Sequence, residues 1–398
     1  MDAGPWLAVP PRGYGGLENV VATLTTELRA RGHEVVLATV GDSELPADGH
    51  VSAFATGQFG RLAGSYPATV GIAHAHADVV GATAAAHAAA GAPFDLVHTH
   101  LEVVGPAVLG RPGSPPVLHT LHWDLQRNAD FYETFDGHGR VAYVGVSASQ
   151  LARGPRALRR QALGHVPLAV PVDLPPAVPV AERGEHVVLL ARLSPSKGAD
   201  TAIRVCRAAG VPLVLAGPVG GLPDAAALDA ALADPDSGAA ANADVAWFLR
   251  HVRPHVDGAS VRWVGSIAGA EKDELLRTAR ASLFPIDWEE PGGTAVCESL
   301  AAGTPVVAMA RGCLPSLVDE GRTGFLADDE AGFTAGLRRV AEIDPAHCQA
   351  VARERFAPAV MAEAYERLYG RLVARAHSRR VTVPTPRTQP SGRGVAVR

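Results

Sequence analysis

The sequence is poor in cysteine, in aromatic residues and in net charge. Its four cysteines, Cys206, Cys297, Cys313 and Cys348, lie far apart in 398 residues and form no CxxC pair. That spacing argues against a disulfide framework or a cysteine-based zinc site and fits buried thiols in a reducing compartment, so the cytosol is the expected location. Lys and Arg (36) nearly balance Asp and Glu (41), for a formal net charge of -5. No global field draws in a polyanion, and a nucleic-acid partner is disfavoured. No apolar run reaches the roughly 18 residues that a transmembrane segment requires. The opening MDAGPWLAVPPRG also lacks the basic patch and apolar stretch of a targeting signal. Peripheral contact with a membrane surface stays open.

What is present is alternation. LENVVATLTTELRARG (17–32) sets Leu17, Val20, Val21, Leu24 and Leu28 at helical spacing and stops at Gly32. Strands are expected at 34–39, 94–98, 116–120 and 141–146, and again at 187–191, 212–217, 261–265, 281–286 and 304–309, with helical stretches between them. Apolar strands alternating with helices predict parallel sheets covered on both faces. The proline-rich segment 166–185 breaks helix and central strand alike. It divides an N-terminal domain (1–165) from a C-terminal one (186–345), which is followed by closing helices (346–376), the last of them expected to cross back to the N-terminal domain. From His377 the basic, acid-free tail (377–398) is expected to be disordered. Asp234-Pro235-Asp236 spells a DxD string, but it sits in Ala-rich sequence with no strand before it.

The stretch EEPGGTAVCE (289–298) concentrates the chemistry. Glu290 falls in the loop beyond the carboxyl end of a strand, and Gly292-Gly293-Thr294 leads into a helix that carries Glu298. Such loops are where open parallel sheets bind ligands. Glycines let backbone approach closely, and the unpaired N–H groups of a helix start favour a phosphate. Carboxylates accept hydrogen bonds from neutral hydroxyls, so acids on both sides of the turn suit a sugar and a ribose flanking a diphosphate. The same two acids could instead complement the helix dipole and face solvent. A second segment, LLARLSPSKG (189–198), points Arg192 and Lys197 toward the same crevice, a planar fork and a point charge for phosphate oxygens. His98 with His100, and His119 with His122, are spaced so that each pair could share a metal; without a third ligand, packing or hydrogen-bonded roles are preferred.

In these strings the sequence resembles the retaining glycosyltransferases of family 4, from about Pro10 to Asp329. E-x7-E is Glu290 to Glu298 in WEEPGGTAVCESLAAGTPVVA; ARLSPSKG, PRGYGGLENVV, FDLVHTH and HTLH follow the family's order. The resemblance implies the α/β GT-B fold, two doubly wound Rossmann-like domains facing each other across a cleft. It implies transfer of a sugar from a nucleotide-diphosphate donor, a UDP-sugar foremost, to a hydroxyl acceptor of unknown identity, with no cofactor and no metal. Arg192 and Lys197 would bind the diphosphate, Glu290 the transferred sugar and Glu298 the ribose. Gly293 and Thr294 would sit against sugar and phosphate, Gly15 and Gly16 would approach the phosphate from the other domain, and His122 would contact the sugar near its reacting carbon.

The sequence also departs from the family. No apolar strand precedes the glycine loop, so either the first strand is expected to be lost or the start of the chain as given is short. Leu168, Ala169 and Pro171 replace the interdomain Asn-Gly-(Ile/Val)-Asp signature, and Gly292 stands where an aromatic is common. These changes keep a second reading alive, a scaffold that binds a sugar nucleotide or a partner without transferring sugar. A nicotinamide-dependent oxidoreductase is a third, resting on Gly13-Tyr14-Gly15-Gly16, although Glu18 occupies the third glycine position.

Overall fold

The computed structural model describes residues 1–381, Tyr14 and Ala63 excepted, with the side chains of 379–381 also left out. Strands β1 (Val36–Ala38), β2 (Gly49–Val51), β3 (Val97–Thr99), β4 (Val117–Leu121), β5 (Val141–Gly145) and β6 (Ala162–His165) lie in the N-terminal lobe. β1 pairs with β2, β3 to β6 are neighbours in order, and every pairing is parallel. The two groups are joined by the first residues of the chain. Asp2 bridges Ala38 on one side and Thr99 on the other. Its amide donates to the His98 carbonyl at 2.7 Å, the Ala3 amide to the Ala38 carbonyl at 2.9 Å, and its own carbonyl accepts from His100 at 2.9 Å. The missing first strand is thus corrected: Met1–Ala3 fill the central position, and the neighbouring backbone groups are paired. The buried Asp2 carboxylate is held by the amide of Gly4, His76 and Thr99 at 2.9, 2.8 and 2.6 Å.

In the C-terminal lobe β7 (Val187–Leu190), β8 (Leu213–Ala216), β9 (Val261–Trp263), β10 (Ala281–Phe284), β11 (Val306–Met309) and β12 (Gly324–Ala327) form one parallel sheet in the order β12-β11-β10-β7-β8-β9. β8 and β10 are buried along their whole length, as sheets covered on both faces require. The order reverses between β7 and β10, and the loops beyond these two strands carry Arg192 and Lys197 on one side and Glu290 on the other.

The chain crosses between lobes twice. Segment 166–185 leads out of the N-terminal lobe, and after the Pro345–Arg355 helix the long helix Pro358–Val381 leads back. The Val170 amide donates to the Phe356 carbonyl at 3.0 Å, so the crossings run side by side. Met361, Tyr365, Leu368 and Leu372, three or four residues apart on one face of the last helix, are buried against Val20, Leu24 and Leu28 of the Gly16–Ala30 helix and the faces of β4 and β5. Each such side chain contributes on the order of 1.5–3 kcal/mol. This helix runs on through Val381, so 377–381 are helical where the sequence suggested a disordered tail; residues 382–398 lie outside the described residues. Asp234 and Asp236 sit in an exposed turn, where Asp234 accepts from the Asp236 amide.

Candidate active site

Beyond the carboxyl end of β7, Arg192 is exposed and makes no ion pair among the described residues, and the turn Pro195–Lys197 brings the lysine back toward the sheet. The Ser196 carbonyl accepts from the Asp287 amide at 3.0 Å, tying this turn to the loop after β10. Lys197 Nζ lies 2.5 Å from Glu290 Oε2, with only 17% and 18% of the two side chains exposed, and 4.5 Å from the centre of the Trp288 ring. The backbone of Glu290 is fixed from behind: its carbonyl accepts from Cys313 at 2.8 Å, while the Glu289 carboxylate accepts from the Gly312 amide at 2.8 Å. Gly312 cannot be another residue here. Its φ is +59°, and a Cβ would stand 2.3 Å from both the nitrogen and the oxygen of Glu290. Gly293 caps the Thr294–Ala301 helix in the left-handed region, so Thr294 opens the helix directly after the loop that carries Glu290, and the amides of Val296 and Cys297 bond back to the Gly293 carbonyl. One turn on, Glu298 Oε1 meets Lys272 Nζ at 2.5 Å. Each acid of the motif therefore carries its own lysine.

On the N-terminal lobe, buried Gly15 precedes the Gly16–Ala30 helix, and Gly16 is exposed with open space above its α-carbon. Glu18, in the first turn, is buried, and that burial pushes its carboxyl up. His122 lies just past β4 and keeps part of its surface exposed. Its Nε2 is 2.8 Å from His100 Nδ1, while His100 Nε2 is buried without a partner. A buried N–H without an acceptor costs more than a bare ring nitrogen, so this geometry favours His100 as the donor and leaves the His122 proton on Nδ1. Burial holds His122 down to about 3 and His119 to about 4, and His98 and His100 well below the usual imidazole value. These rings are neutral hydrogen-bonding groups at ordinary pH. His98 bonds Tyr369 and Thr120, both at 2.8 Å, and His119 the Thr99 carbonyl at 3.1 Å. Among the described residues no group of three or more His, Cys, Asp or Glu could hold a metal ion.

The lobes meet at the loop that carries Glu290. A Cβ on Gly292 would stand 2.7 Å from Leu168 and 3.2 Å from Val146, so the aromatic common in the family has no room in this arrangement. Nearby, Arg153 of the Ala148–Arg153 helix reaches Glu289 at 3.8 Å. The structure thus brings Lys197 onto Glu290, sets Arg192 on the same loop as Lys197, and puts Thr294 and Glu298 on one helix. Gly15, Gly16 and His122 stand on the other lobe. Lys272, Trp288 and Gly312 carry no signal in the sequence: WEEP does not show what lies under the lysine, what packs behind the glutamates comes from a distant segment, and Lys272 looks like any cation of a surface helix.

Two family models match the chain, "Glycosyltransferase Family 4" over residues 14–170 and "Glycosyl transferases group 1" over residues 174–354. Glycogen synthase of Mycobacterium tuberculosis is 37% identical over 109 residues, 27% of this chain and 26% of that protein; the match spans about a quarter of the curated relative's length. Among solved structures, AviGT4, a glycosyltransferase involved in avilamycin A biosynthesis, is 23% identical with a TM-score of 0.63 and covers 94% of this chain and 97% of its own. HepE of Anabaena in complex with UDP and glucose is 17% identical with a TM-score of 0.58, covering 90% and 96%. Matched end to end along most of its length, the chain belongs to the family-4-like glycosyltransferases with the GT-B fold.

Proposed function

We propose that this protein is a retaining, metal-independent glycosyltransferase that moves a sugar from a nucleotide-diphosphate donor, a UDP-sugar foremost, to a hydroxyl acceptor. The observation that carries the reading is the Lys197–Glu290 pair, 2.5 Å apart and mostly covered, between a loop bearing Arg192 and the start of the Thr294–Ala301 helix. Arg192, Lys197 and the helix start supply positive charge where a diphosphate leaves, which is the part a metal ion would otherwise take. Glu290 accepts hydrogen bonds from the hydroxyls of the transferred sugar, and neutral His122 donates to the sugar from the facing lobe. In the proposed step the bond from the anomeric carbon to the phosphate oxygen breaks as the acceptor oxygen attacks from the same face. The acceptor proton passes to a phosphate oxygen, and configuration is retained. HepE, whose fold this chain shares, holds UDP and glucose, in keeping with a uridine donor. We place the protein in the cytosol on its buried, unpaired cysteines; no helix among the described residues is long and apolar enough to cross a membrane.

Nucleotide-diphosphate release, measured with a panel of donors and hydroxyl acceptors in the presence of EDTA, tests this. Acceptor-dependent release that falls about a hundredfold or more in Glu290→Gln and Lys197→Ala is expected. Binding of donor without release would favour the scaffold reading, which the strand made by Met1–Ala3 deprives of its main motive. Binding of NAD(H) alone would end the proposal.

A further inference from the structure

The residues assigned to transfer stand at the carboxyl edges of the two sheets, and the amino edge of the N-terminal sheet carries none of them. There a cavity of about 840 Å³ opens between the turn that enters β5, the Arg156–Gln161 helix and the last helix. Each of these three elements sends one arginine into its wall: Arg140, Arg160 and Arg375. None of the three makes an ion pair among the described residues, although Glu133 and Asp136 share the wall. Those acids are engaged elsewhere, Glu133 accepting from the Ala157 amide at 3.1 Å and Asp136 from the His138 amide at 2.8 Å. Arg140 is half-buried; its Nη2 donates to the Ser114 carbonyl, but its Nε–H is buried with no acceptor. Gln161 donates to the carbonyls of Phe135 and Ala157 at 3.1 and 3.2 Å, while its own side-chain oxygen is buried with no donor. The turn itself is left-handed, with φ of +60°, +50° and +67° at Gly137, His138 and Gly139, and of these only His138 has a Cβ that the conformation strains.

We propose that this cavity binds a phosphate monoester that also carries hydroxyls, a sugar phosphate, at a site separate from the one that transfers sugar. Guanidinium groups arriving from three directions match the oxygens of a doubly charged phosphate, and their planar forks are well shaped for it. Three arginines also outnumber the two acids of the wall in a chain that is acidic as a whole. An unused N–H and an unused carbonyl oxygen in one wall call for a ligand that both accepts and donates, which a bare anion does not. Arg140 turns into the cavity by giving up one carbonyl bond, to Ser114, for a charge-assisted one. Arg375 lies on the helix that returns from the C-terminal lobe, so the bound ester clamps that helix to the start of β5 and to the Arg156–Gln161 helix. None of this depends on the nucleotide-sugar reading above.

Calorimetric titration of the full chain with glucose 6-phosphate, ribose 5-phosphate, glucose and inorganic phosphate tests the proposal. At least one of the two esters is expected to bind about tenfold or more tighter than inorganic phosphate and to raise the melting temperature, and glucose is expected not to bind. Arg160 and Arg375 are both exposed, so the double variant Arg160→Ala/Arg375→Ala keeps the fold; it should lose about tenfold or more of the ester affinity, while UDP binding stays as in the wild type. Lys197→Ala should leave ester binding unchanged. The proposal is overturned if neither ester binds at millimolar concentration, if binding survives in the double variant, or if it is lost in Lys197→Ala, which would put the phosphate in the transfer site. Inorganic phosphate binding as tightly as the esters would overturn it too, since the arginines would then hold an adventitious ion only. Flotation with phosphatidylcholine vesicles containing phosphatidic acid separates a free ester from a lipid headgroup: capture of the wild type but not of the double variant, without binding of either ester, would reject the soluble ligand.

Discussion

The two lobes present chemically opposite faces to the site. The C-terminal lobe offers full charges held in pairs, Lys197 with Glu290 and Lys272 with Glu298, with exposed Arg192 left over. On the N-terminal lobe only His122 of the four histidines is partly exposed; buried His100 bonds it, His98 with Tyr365 and Tyr369 joins them through hydrogen bonds and ring contacts, buried His119 bonds the Thr99 carbonyl, and burial keeps all four rings neutral. A charged ligand group gains most where ions are already fixed in a partly dry site, and a neutral hydroxyl is better oriented by neutral dipoles. The contrast teaches that the two lobes are built from different physics on similar scaffolds, and that they should fail under different insults.

Acid should separate them most strongly. Below about pH 6.5 the unfolded chain protonates its histidines while the folded N-terminal lobe does not, so stability falls with pH until the folded values are reached. For His119, held to about 4, full expression of that gap is worth about 3 kcal/mol, and the other three histidines act in the same direction. Melting temperatures between pH 7.5 and 4.5 should drop steeply, and less so in His119→Asn, which keeps a donor for the Thr99 carbonyl. An unchanged slope in that variant would break the comparison. On the other lobe, Gly312→Ala should cost about 3 kcal/mol in urea unfolding and weaken nucleotide binding, because the new Cβ meets the Glu290 backbone at a left-handed φ. Tyr369→Phe sharpens the N-terminal side: losing the 2.8 Å bond to His98 should cost about 1 kcal/mol at neutral pH with nucleotide affinity unchanged. Smallest is Arg153→Ala, whose 3.8 Å contact with Glu289 is partly exposed and should be worth about 0.5 kcal/mol or less by thermal melting.

How much of this was legible in the sequence follows the same divide. The apolar runs at β4, β5, β7, β8, β10 and β11 were readable because strands buried on both faces are continuous apolar stretches. The Lys197–Glu290 meeting was readable because both lie just past strands that the topology sets side by side. Met1–Ala3 was not, because its strand character comes from the ladders of β1 and β3 on either side and not from its own residues, which Gly4 and Pro5 follow directly. β2, whose residues are Gly49, His50 and Val51, and β6, which contains a glycine, were missed for the same reason. Lys272 was hidden by EKDELLR, a pattern indistinguishable from a solvated helix face until a second helix is laid against it. Gly312 was hidden because what forbids its side chain is the backbone of Glu289 and Glu290, distant in the chain.

The bond from the Val170 amide to the Phe356 carbonyl ties the outbound and returning strands of the chain into a single short ribbon. Any motion of one lobe on the other therefore has to bend both crossings together, since neither can move past Val170 and Phe356 without breaking that bond.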